Sequence, residues 1–332
     1  MSNNISNKCL WGDKRYHSLD YELKKTFGKK LYKLSLNGGM TCPNRDGIID
    51  TKGCVFCSKG GSGDFSTDAT LSISDQIMEA KKLVNNKISS KENIQYIAYF
   101  QAYTNTHAPV AYLEKIFTEA IEHPDIAILS IATRPDCLSD EVLSLLEKLN
   151  SKKPVWIELG LQTIHEDTAK IIRRGYELYV FEKAIKCLGS IGIAVIVHTI
   201  LGLPKETKND ILKTMEYIGD LSDQGLVKGI KLQLLHILEG TDLGLLYLND
   251  SQPNNMSITK EDLNLLSMEE YIQLVITCLE HLPMELIIHR LTGDGPKKIL
   301  LAPTWSSNKK LVLNALHRNM KITDSWQGKH YK

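Results

Sequence analysis

Residues 193–207 read IAVIVHTILGLPKET, an apolar run that leads through a Gly-Leu-Pro turn into a helical pattern. The run is almost continuously apolar and β-branched, as in a strand that is buried on both faces. Six similar runs occur elsewhere, with helical patterns between them: YKLSL (32–36), IQYIAYF (94–100), IAILSIA (126–132), VWIELGL (155–161), IKLQLL (230–235) and MELIIHRL (284–291). Strands that alternate with helices predict a parallel sheet, and six or seven units fit a complete or partial β/α barrel. A doubly wound open sheet is the alternative.

Polar residues follow each of these predicted strands. The segments concerned are a cysteine-containing loop after the first strand, YFQAYTNT (99–106), ATRPD (132–136), ELGLQT (158–163), HTILGLPKET (198–207), LLHILEGTDL (234–243) and IIHRLTGDG (287–295). In a parallel barrel the chemistry lies at the carboxyl ends of the strands. The sequence therefore predicts a pocket with polar lining at that end.

Three of the seven cysteines lie in the first of these loops, MTCPNRDGIIDTKGCVFCS (40–58), at Cys42, Cys54 and Cys57. In a reducing compartment this clustering favours metal ligation over disulfides. A structural zinc site would need a fourth ligand, such as Cys9 or His17. Three thiolates can instead bind three irons of a 4Fe-4S cluster and leave the fourth iron open. Three unrelated buried cysteines are the remaining alternative, and the position of the loop after the first strand favours the cluster.

The charge of the chain is unevenly distributed. Its 332 residues carry a net charge of only +1, yet residues 1–33 hold eight basic and three acidic residues, and residues 296–332 hold eight basic residues and one acidic. Aromatic residues lie among the basic ones: Trp11, Tyr16, Trp305 and Trp326. This pattern predicts a surface for RNA or another polyanion, with solvated tails as the alternative. To serve an active site, both ends must approach the mouth of the barrel, and LTGDGPKK should bring Lys297 and Lys298 there.

The sequence also favours a cytoplasmic location. The N-terminus lacks the apolar segment of a signal peptide. The longest apolar runs are too short to span a bilayer. We therefore expect no membrane partner.

The combined motifs resemble those of radical S-adenosylmethionine (SAM) enzymes. More closely, they resemble the YtqA/YhcC-type family, relatives of the radical-SAM domain of the Elongator catalytic subunit. The motifs are TCPNRDG…GCVFCS, YFQAYTNT, ATRPD, ELGLQT, IRRGY, HTILGLPKET and LTGDGP, and they extend from about residue 31 to 310. Many radical SAM enzymes have C-x3-C-x2-C, whereas this chain, like this family, has a longer first gap.

This resemblance implies a partial (β/α)6 TIM-like barrel with short N- and C-terminal extensions. The barrel would span residues 31–295, between a basic extension at 1–30 and a second one at 296–332 that packs on the barrel. Cys42, Cys54 and Cys57 would bind a 4Fe-4S cluster, and SAM would chelate its open iron. One electron, from a donor such as flavodoxin or ferredoxin, would then cleave SAM to methionine and a 5′-deoxyadenosyl radical.

By the same resemblance, six residues are candidates for SAM binding: Gln101, Tyr103, Asn105, Gln162, Arg174 and His198. All of them except Gln162 have an alternative. Asn105 and its neighbours can form a turn. Arg173, rather than Arg174, can be the residue that contacts SAM, and His198 can be a histidine of the apolar core.

The resemblance also suggests a substrate. Elongator-like enzymes act on the wobble uridine of tRNA, and the YtqA branch is linked to the same base, where a carboxymethylaminomethyl group is converted towards aminomethyl. We therefore expect tRNA as the substrate. Two alternatives stay open at this point: a radical SAM enzyme with a small-molecule substrate, and a zinc-stabilised RNA-binding protein without catalysis.

Overall fold

The computed structural model describes residues 10–61, 63–84, 94–249, 256–293 and 295–332. Seven parallel strands form the main sheet, in the order β1-β2-β3-β4-β5-β6-β8. They are β1 (Tyr32–Leu36), β2 (Tyr96–Phe100), β3 (Ile126–Thr133), β4 (Val155–Gln162), β5 (Ala194–Leu201), β6 (Gly229–Leu234) and β8 (Ile287–Arg290). Each of the seven predicted runs overlaps one of these strands, and β3, β4 and β6 extend one residue beyond their runs. The strand order follows the chain and does not reverse, as it would in a doubly wound sheet. The alternative of a doubly wound open sheet is therefore wrong.

The sheet curls into an open barrel whose edges are β1 and β8. The curl is visible in contacts between strands that are not neighbours in the sheet. Lys33 on β1 donates to Glu158 on β4, and Lys231 on β6 donates to Tyr99 on β2. The prediction of a partial β/α barrel is confirmed, with seven parallel strands rather than six.

Helices cover the outside of the barrel. They are α1 (Leu19–Phe27), α2 (Ile73–Val84), α3 (Val110–Glu122), α4 (Asp140–Asn150), α5 (Glu166–Ile171), α6 (Leu178–Ser190), α7 (Lys208–Asp223), α8 (Asp242–Asn249), α9 (Met268–Glu280) and α10 (Lys309–Ile322). Polar caps fix where several of them begin. The Ser139 hydroxyl accepts from the Val142 amide at the start of α4, and Thr207 and Asp210 form a capping box at the start of α7.

Alternation along the strands separates the apolar core from the polar interior. Outward side chains such as Leu34, Ile157 and Val197 are fully buried against the helices. Burial of each such side chain contributes about 1.5–3 kcal/mol to folding. Because successive side chains point to opposite faces, Lys33 and Glu158 point into the barrel. The interior is therefore available for polar chemistry.

The two ends of the chain lie at different places on the barrel. The segment before α1 runs along β8, where the Ile288 amide donates to the His17 carbonyl. Leu23 of α1 packs against Ile97 and Ile128, near the amino ends of the strands. The lysines at 24–30 precede β1 and therefore lie at the end opposite the mouth. The expectation that the N-terminal basic segment approaches the mouth is wrong.

The C-terminal segment begins at the mouth. A short antiparallel pair, β7 (Ile237–Leu238) and β9 (Leu300–Ala302), follows the carboxyl ends of β6 and β8. Lys297 and Lys298 lie exposed between β8 and β9, as predicted. The α10 helix then packs on the core through Val312. The boundaries at 30/31 and 295/296 stay a prediction. No helix in the described part of the chain has the length and apolar character needed to cross a membrane.

Candidate active site

A cavity opens at the carboxyl ends of the strands. Eight of the nine predicted site residues line it: Cys42, Cys54, Cys57, Gln101, Tyr103, Gln162, Arg174 and His198. They come from the loops after β1 and β2, from β4 and β5, and from the segment after α5. The barrel therefore brings together side chains that are more than 150 positions apart in the sequence.

Two side chains inside the cysteine loop fix its shape. Asn44 donates through Nδ2 to the carbonyls of Arg173, at 2.8 Å, and Arg174, at 3.2 Å, and lies 3.5 Å from the Cys54 sulfur. Arg45 donates to the Cys57 carbonyl at 2.7 Å. The Asn44 bonds hold the loop against the segment after α5, and the Arg45 bond joins two parts of the loop, so the three thiols share one cavity. Such outer contacts orient metal ligands and tune them.

The three thiols fit an iron-sulfur cluster. Burial raises the pKa of Cys57 to about 12 and also raises the pKa of Cys54. Ligation by a metal replaces the thiol proton, so these buried sulfurs suit a bound cluster better than free thiolates. In the described ranges, no group of three or more His, Cys, Asp or Glu side chains is placed to hold one metal ion. A 4Fe-4S cluster needs no such group because each cysteine binds a different iron.

The residues considered as a fourth zinc ligand do not complete the site. The His17 ring lies 2.9 Å from a Glu22 carboxylate oxygen and stacks on Trp11. Its backbone carbonyl accepts from Ile288, on β8, and it does not line the cavity. Cys9 lies outside the described residues. His17 is therefore not a ligand beside the three cysteines.

In the turn after β2, the three candidates differ. Gln101 lines the cavity and accepts from the Ser35 hydroxyl at 3.2 Å. Tyr103 adopts a positive φ of 56°, and its hydroxyl donates to the Lys59 carbonyl. Asn105 is fully buried, and its amide donates to the carbonyls of Phe100 and Ala132 instead of lining the cavity. The structure thus supports the turn-forming alternative for Asn105, while SAM contacts of Gln101 and Tyr103 stay a prediction.

Gln162 presents an unused hydrogen-bond acceptor. It sits at an irregularity between β4 and β5, with a positive φ of 65°. Its Oε1 is buried and has no hydrogen-bond partner among the described residues. Buried acceptors are usually paired, so an unpaired one that lines a cavity fits a donor from a bound ligand. This observation agrees with the prediction that Gln162 contacts SAM.

Most donors of Arg174 are used within the protein. Its guanidinium donates to the carbonyls of Leu161 (3.2 Å), Thr163 (2.7 Å) and Tyr176 (2.9 Å) and lies 3.2 Å from Glu166. Arg174 is only 2% exposed. The side chain therefore ties β4 to the segment before α6, and its contact with SAM stays a prediction. The neighbouring Arg173 points elsewhere and pairs with Asp242.

Several polar side chains form a cluster inside the barrel, and the sequence analysis did not predict them as one set. Glu158 on β4 is fully buried and accepts from Lys33 at 2.5 Å, from His198 at 2.8 Å and from Ser130 at 2.9 Å. It also pairs with Lys231. Burial alone would raise the pKa of Glu158, but the charges of Lys231 and Lys33 outweigh burial and hold it well below its usual range.

His198 is neutral in this environment. Burial and the charge of Lys231 lower its pKa to about 4, although Glu158 acts in the opposite direction. Its Nε2–H donates to Glu158, so His198 belongs to the polar interior rather than to the apolar core that was the alternative.

The sequence did contain a signal for this group. Lys33 in YKLSL and Lys231 in IKLQLL alternate with buried leucines and isoleucines. Period-two alternation means that one face of a strand is polar. In a covered parallel barrel that face is the interior.

Comparisons with known proteins identify the family. A sequence profile of the radical SAM superfamily matches residues 42–218, and one of the radical SAM C-terminal domain matches residues 227–322. The chain is 42% identical to Bacillus subtilis YtqA over 320 residues, which is 96% of this chain and 94% of that protein. It is 35% identical to Escherichia coli YhcC over 289 residues, or 87% and 86% of the two chains.

Weaker matches reach a tRNA uridine(34) acetyltransferase and the solved structure of an archaeal Elp3. The tRNA uridine(34) acetyltransferase of Methanocaldococcus infernus is 27% identical over 132 residues, covering 38% of this chain and 22% of that protein. The solved structure of Elp3 from M. infernus shares the fold, with a TM-score of 0.63 at 15% identity, over 90% of this chain and 64% of that one. The resemblance inferred from the motifs is confirmed: the chain belongs to the radical SAM superfamily, whose cofactors are a 4Fe-4S cluster and SAM, and within it to the family of YtqA and YhcC.

Proposed function

We propose that this radical SAM enzyme modifies the wobble uridine of tRNA, converting a carboxymethylaminomethyl group towards aminomethyl. The observation that carries the proposal is the sequence match to a tRNA uridine(34) acetyltransferase. The shared fold with Elp3 supports it. The match covers a minor part of both chains, so the activity on tRNA is our inference for this protein.

Within this proposal, Cys42, Cys54 and Cys57 hold the cluster, and Gln162 accepts a hydrogen bond from SAM. When bound, the cluster and SAM supply reductive cleavage of SAM and hydrogen abstraction from the substrate. The protein contributes orientation and exclusion of water. Asn44 and Arg45 keep the cysteine loop in place.

The mouth of the cavity offers basic side chains for tRNA. Lys297 and Lys298 are exposed where the chain leaves β8. Lysines near phosphates contribute affinity that does not depend on base sequence. We propose that this pair contacts the tRNA backbone while the modified base enters the cavity. We also propose a flavodoxin or a ferredoxin as the electron donor.

Mass spectrometry of tRNA nucleosides tests the proposal. In a strain that lacks this gene, carboxymethylaminomethyluridine should accumulate at the wobble position, and aminomethyl derivatives should disappear. The wild-type gene should restore the normal pattern, and a gene encoding Cys54→Ala should not.

An unchanged nucleoside pattern would overturn the tRNA proposal. If the purified protein then still contained iron and cleaved SAM, the small-molecule alternative would replace it. Zinc in place of iron in protein purified without oxygen would favour the RNA-binding alternative.

A further inference from the structure

The side chain of Arg45 crosses the cysteine loop between two of the proposed cluster ligands. Its guanidinium donates to the carbonyls of Cys57, at 2.7 Å, and Ser58, at 2.8 Å. It also packs against Gly53, where an added Cβ would lie 2.8 Å from the Arg45 Nε. Gly53 immediately precedes Cys54. The guanidinium therefore lies against the backbone of the loop beside both cysteines, and it lines the cavity.

The charge of Arg45 has no counter-charge in the described part of the chain. Its remaining contact there is with the Tyr103 ring, whose centroid lies 5.9 Å from Cζ. The carboxylate of the next residue, Asp46, lies 2.8 Å from the His107 ring instead. Arg45 therefore places an unbalanced positive charge on the cysteine loop.

Two other arginines that line the cavity differ from Arg45 in this respect. Arg134 pairs with Asp136 at 2.7 Å, and Arg174 lies 3.2 Å from Glu166. A carboxylate beside a guanidinium offsets much of its field at a distance. The charge of Arg45 is not offset in this way.

The electrostatics of Cys57 agree with this geometry. Burial and the neighbouring Cys54 raise the pKa of Cys57, to about 12, and Arg45 acts in the opposite direction through its charge and a hydrogen bond. A cation that stabilises negative charge on a sulfur also stabilises negative charge on a cluster bound to that sulfur, because cluster potentials depend on local charge and on hydrogen bonds.

We propose that Arg45 raises the reduction potential of the 4Fe-4S cluster, as a fixed positive charge that favours the reduced state. In this step the cluster gains one electron, and the donor, a flavodoxin or a ferredoxin, loses one. No bond forms or breaks, and the cluster becomes more negative by one charge. An arginine stays charged throughout the physiological pH range, so its effect on the potential is permanent.

The inference goes beyond the proposed function, because it does not depend on the substrate. It requires only that the three cysteines hold the cluster. The hydrogen bonds of Arg45 shape the loop, and its charge assists the entry of the electron. These two roles can be separated by substitution.

Redox titrations of the purified, cluster-loaded protein test the inference. Arg45→Gln removes the charge and keeps an amide donor, whereas Arg45→Lys keeps the charge. Lys52→Gln is the matched control, because it removes the same charge from an exposed position of the same loop. Electron paramagnetic resonance measures the reduced cluster at a series of fixed potentials.

We expect the charge to determine the result. At the potential that reduces half of the wild-type cluster, the ratio of reduced to oxidised cluster should be about tenfold lower in Arg45→Gln, because a partly buried charge is poorly screened. For a one-electron couple, this ratio means a midpoint about 59 mV more negative. Arg45→Lys should stay within about threefold of the wild-type ratio, and Lys52→Gln within about twofold, since solvent and salt screen an exposed charge.

The strength of the reductant provides a second measurement. SAM cleavage driven by reduced flavodoxin should be about tenfold slower in Arg45→Gln, in proportion to the reduced cluster. With an excess of a chemical reductant of much lower potential, the cleavage rate should match the wild type. A variant with a merely distorted loop would stay slow with both reductants.

A pH-switched variant decides the question if Arg45→Gln does not hold iron. Arg45→His carries the charge below its pKa and lacks it above, with an ordinary histidine pKa of about 6.5. At one fixed potential, its reduced-to-oxidised ratio, relative to the wild type, should therefore fall as the pH rises from about 5.5 to about 8.5.

Three outcomes would overturn the inference. One is a wild-type midpoint in Arg45→Gln with full iron content. The second is an equal shift in Lys52→Gln, which would show that position in the loop is irrelevant. The third is a shift in Arg45→Gln that Arg45→Lys shares, which would assign the effect to the hydrogen-bonding fork. Unchanged tRNA nucleosides would overturn the proposed function and leave this inference intact.

Discussion

Glu158 on β4 and Lys33 on β1 form an ion pair across the interior of the barrel, with 2.5 Å between Oε1 and Nζ. Two strands separate β1 from β4 in the sheet, so the pair exists only because the sheet curls. Lys231 reaches the same carboxylate from β6. These two ion pairs therefore connect three strands of the barrel.

Removal of the Glu158 charge should destabilise the fold. In Glu158→Gln, two lysines lose their common counter-charge, and breaking a buried pair costs about 3–5 kcal/mol. We expect a loss of this size in the free energy of unfolding, measured by denaturant titration. Glu114→Gln, which breaks an exposed pair with Lys148, is the control and should unfold like the wild type. Equal stability of Glu158→Gln would show that the pair makes no net contribution.

Stability should fall as the pH is lowered from about 6.5 to about 4. The pKa of His198 is about 4 in the folded protein and about 6.5 in an unfolded chain. Between these values the unfolded state binds a proton that the folded state does not, so acid favours unfolding. In His198→Gln, the slope of unfolding free energy against pH should be smaller by up to about 1.4 kcal/mol per pH unit. Parallel slopes for the wild type and the variant would contradict this pKa.

Iron content should depend on Cys54. Cys54→Ala removes one of the three proposed cluster ligands, so purified protein should lose iron, acid-labile sulfide and SAM cleavage. The barrel should remain folded by circular dichroism, because the loop lies outside the main apolar core. Cys187→Ser is the control, since Cys187 lies on α6 and does not line the cavity. Normal iron and SAM cleavage in Cys54→Ala would refute the assignment.

Arg174→Ala should affect both stability and SAM binding. The guanidinium satisfies three backbone carbonyls in a buried site, and each hydrogen bond to a charged group contributes about 1.5–3 kcal/mol. We expect a clearly lower midpoint of thermal unfolding, and about tenfold weaker SAM binding if Arg174 contacts the SAM carboxylate. Arg173→Ala, which loses a pair with Asp242, is the comparison. If the Arg174→Ala protein folds and binds SAM with normal affinity, the role of Arg174 is structural only.

Salt dependence should distinguish the two basic ends. Replacing Lys297 and Lys298 by Ala should weaken tRNA binding and reduce the slope of log affinity against log salt by up to about two, because each lost phosphate contact removes about one unit. Replacing Lys24 and Lys25, on α1 at the opposite end of the barrel, should change neither. Equal effects of the two double variants would exclude the mouth as the specific tRNA site.

The sequence by itself determined the elements and the family. The strand at residues 193–201 follows from a local apolar pattern. The start of α4 follows from the capping residue Ser139. Both features depend on neighbouring residues only. The clustering of Cys42, Cys54 and Cys57 in one loop indicated a thiolate site, and the resemblance to the family identified them as the proposed cluster ligands. These features are readable because they involve residues that are close in the chain.

Only the tertiary structure decided which distant side chains meet. Arg174 and Asn105 are candidate SAM contacts by their motifs, and the tertiary structure shows that their donors also bond to backbone carbonyls. The N-terminal lysines read as part of an active-site surface, but α1 lies at the opposite end of the barrel. The group around Glu158 forms from β1, β4, β5 and β6 because the curl of the sheet brings separated strands face to face. Such contacts depend on the curl of the sheet. The alternation around Lys33 and Lys231 indicates a polar strand face, but it does not show which side chains meet across the barrel.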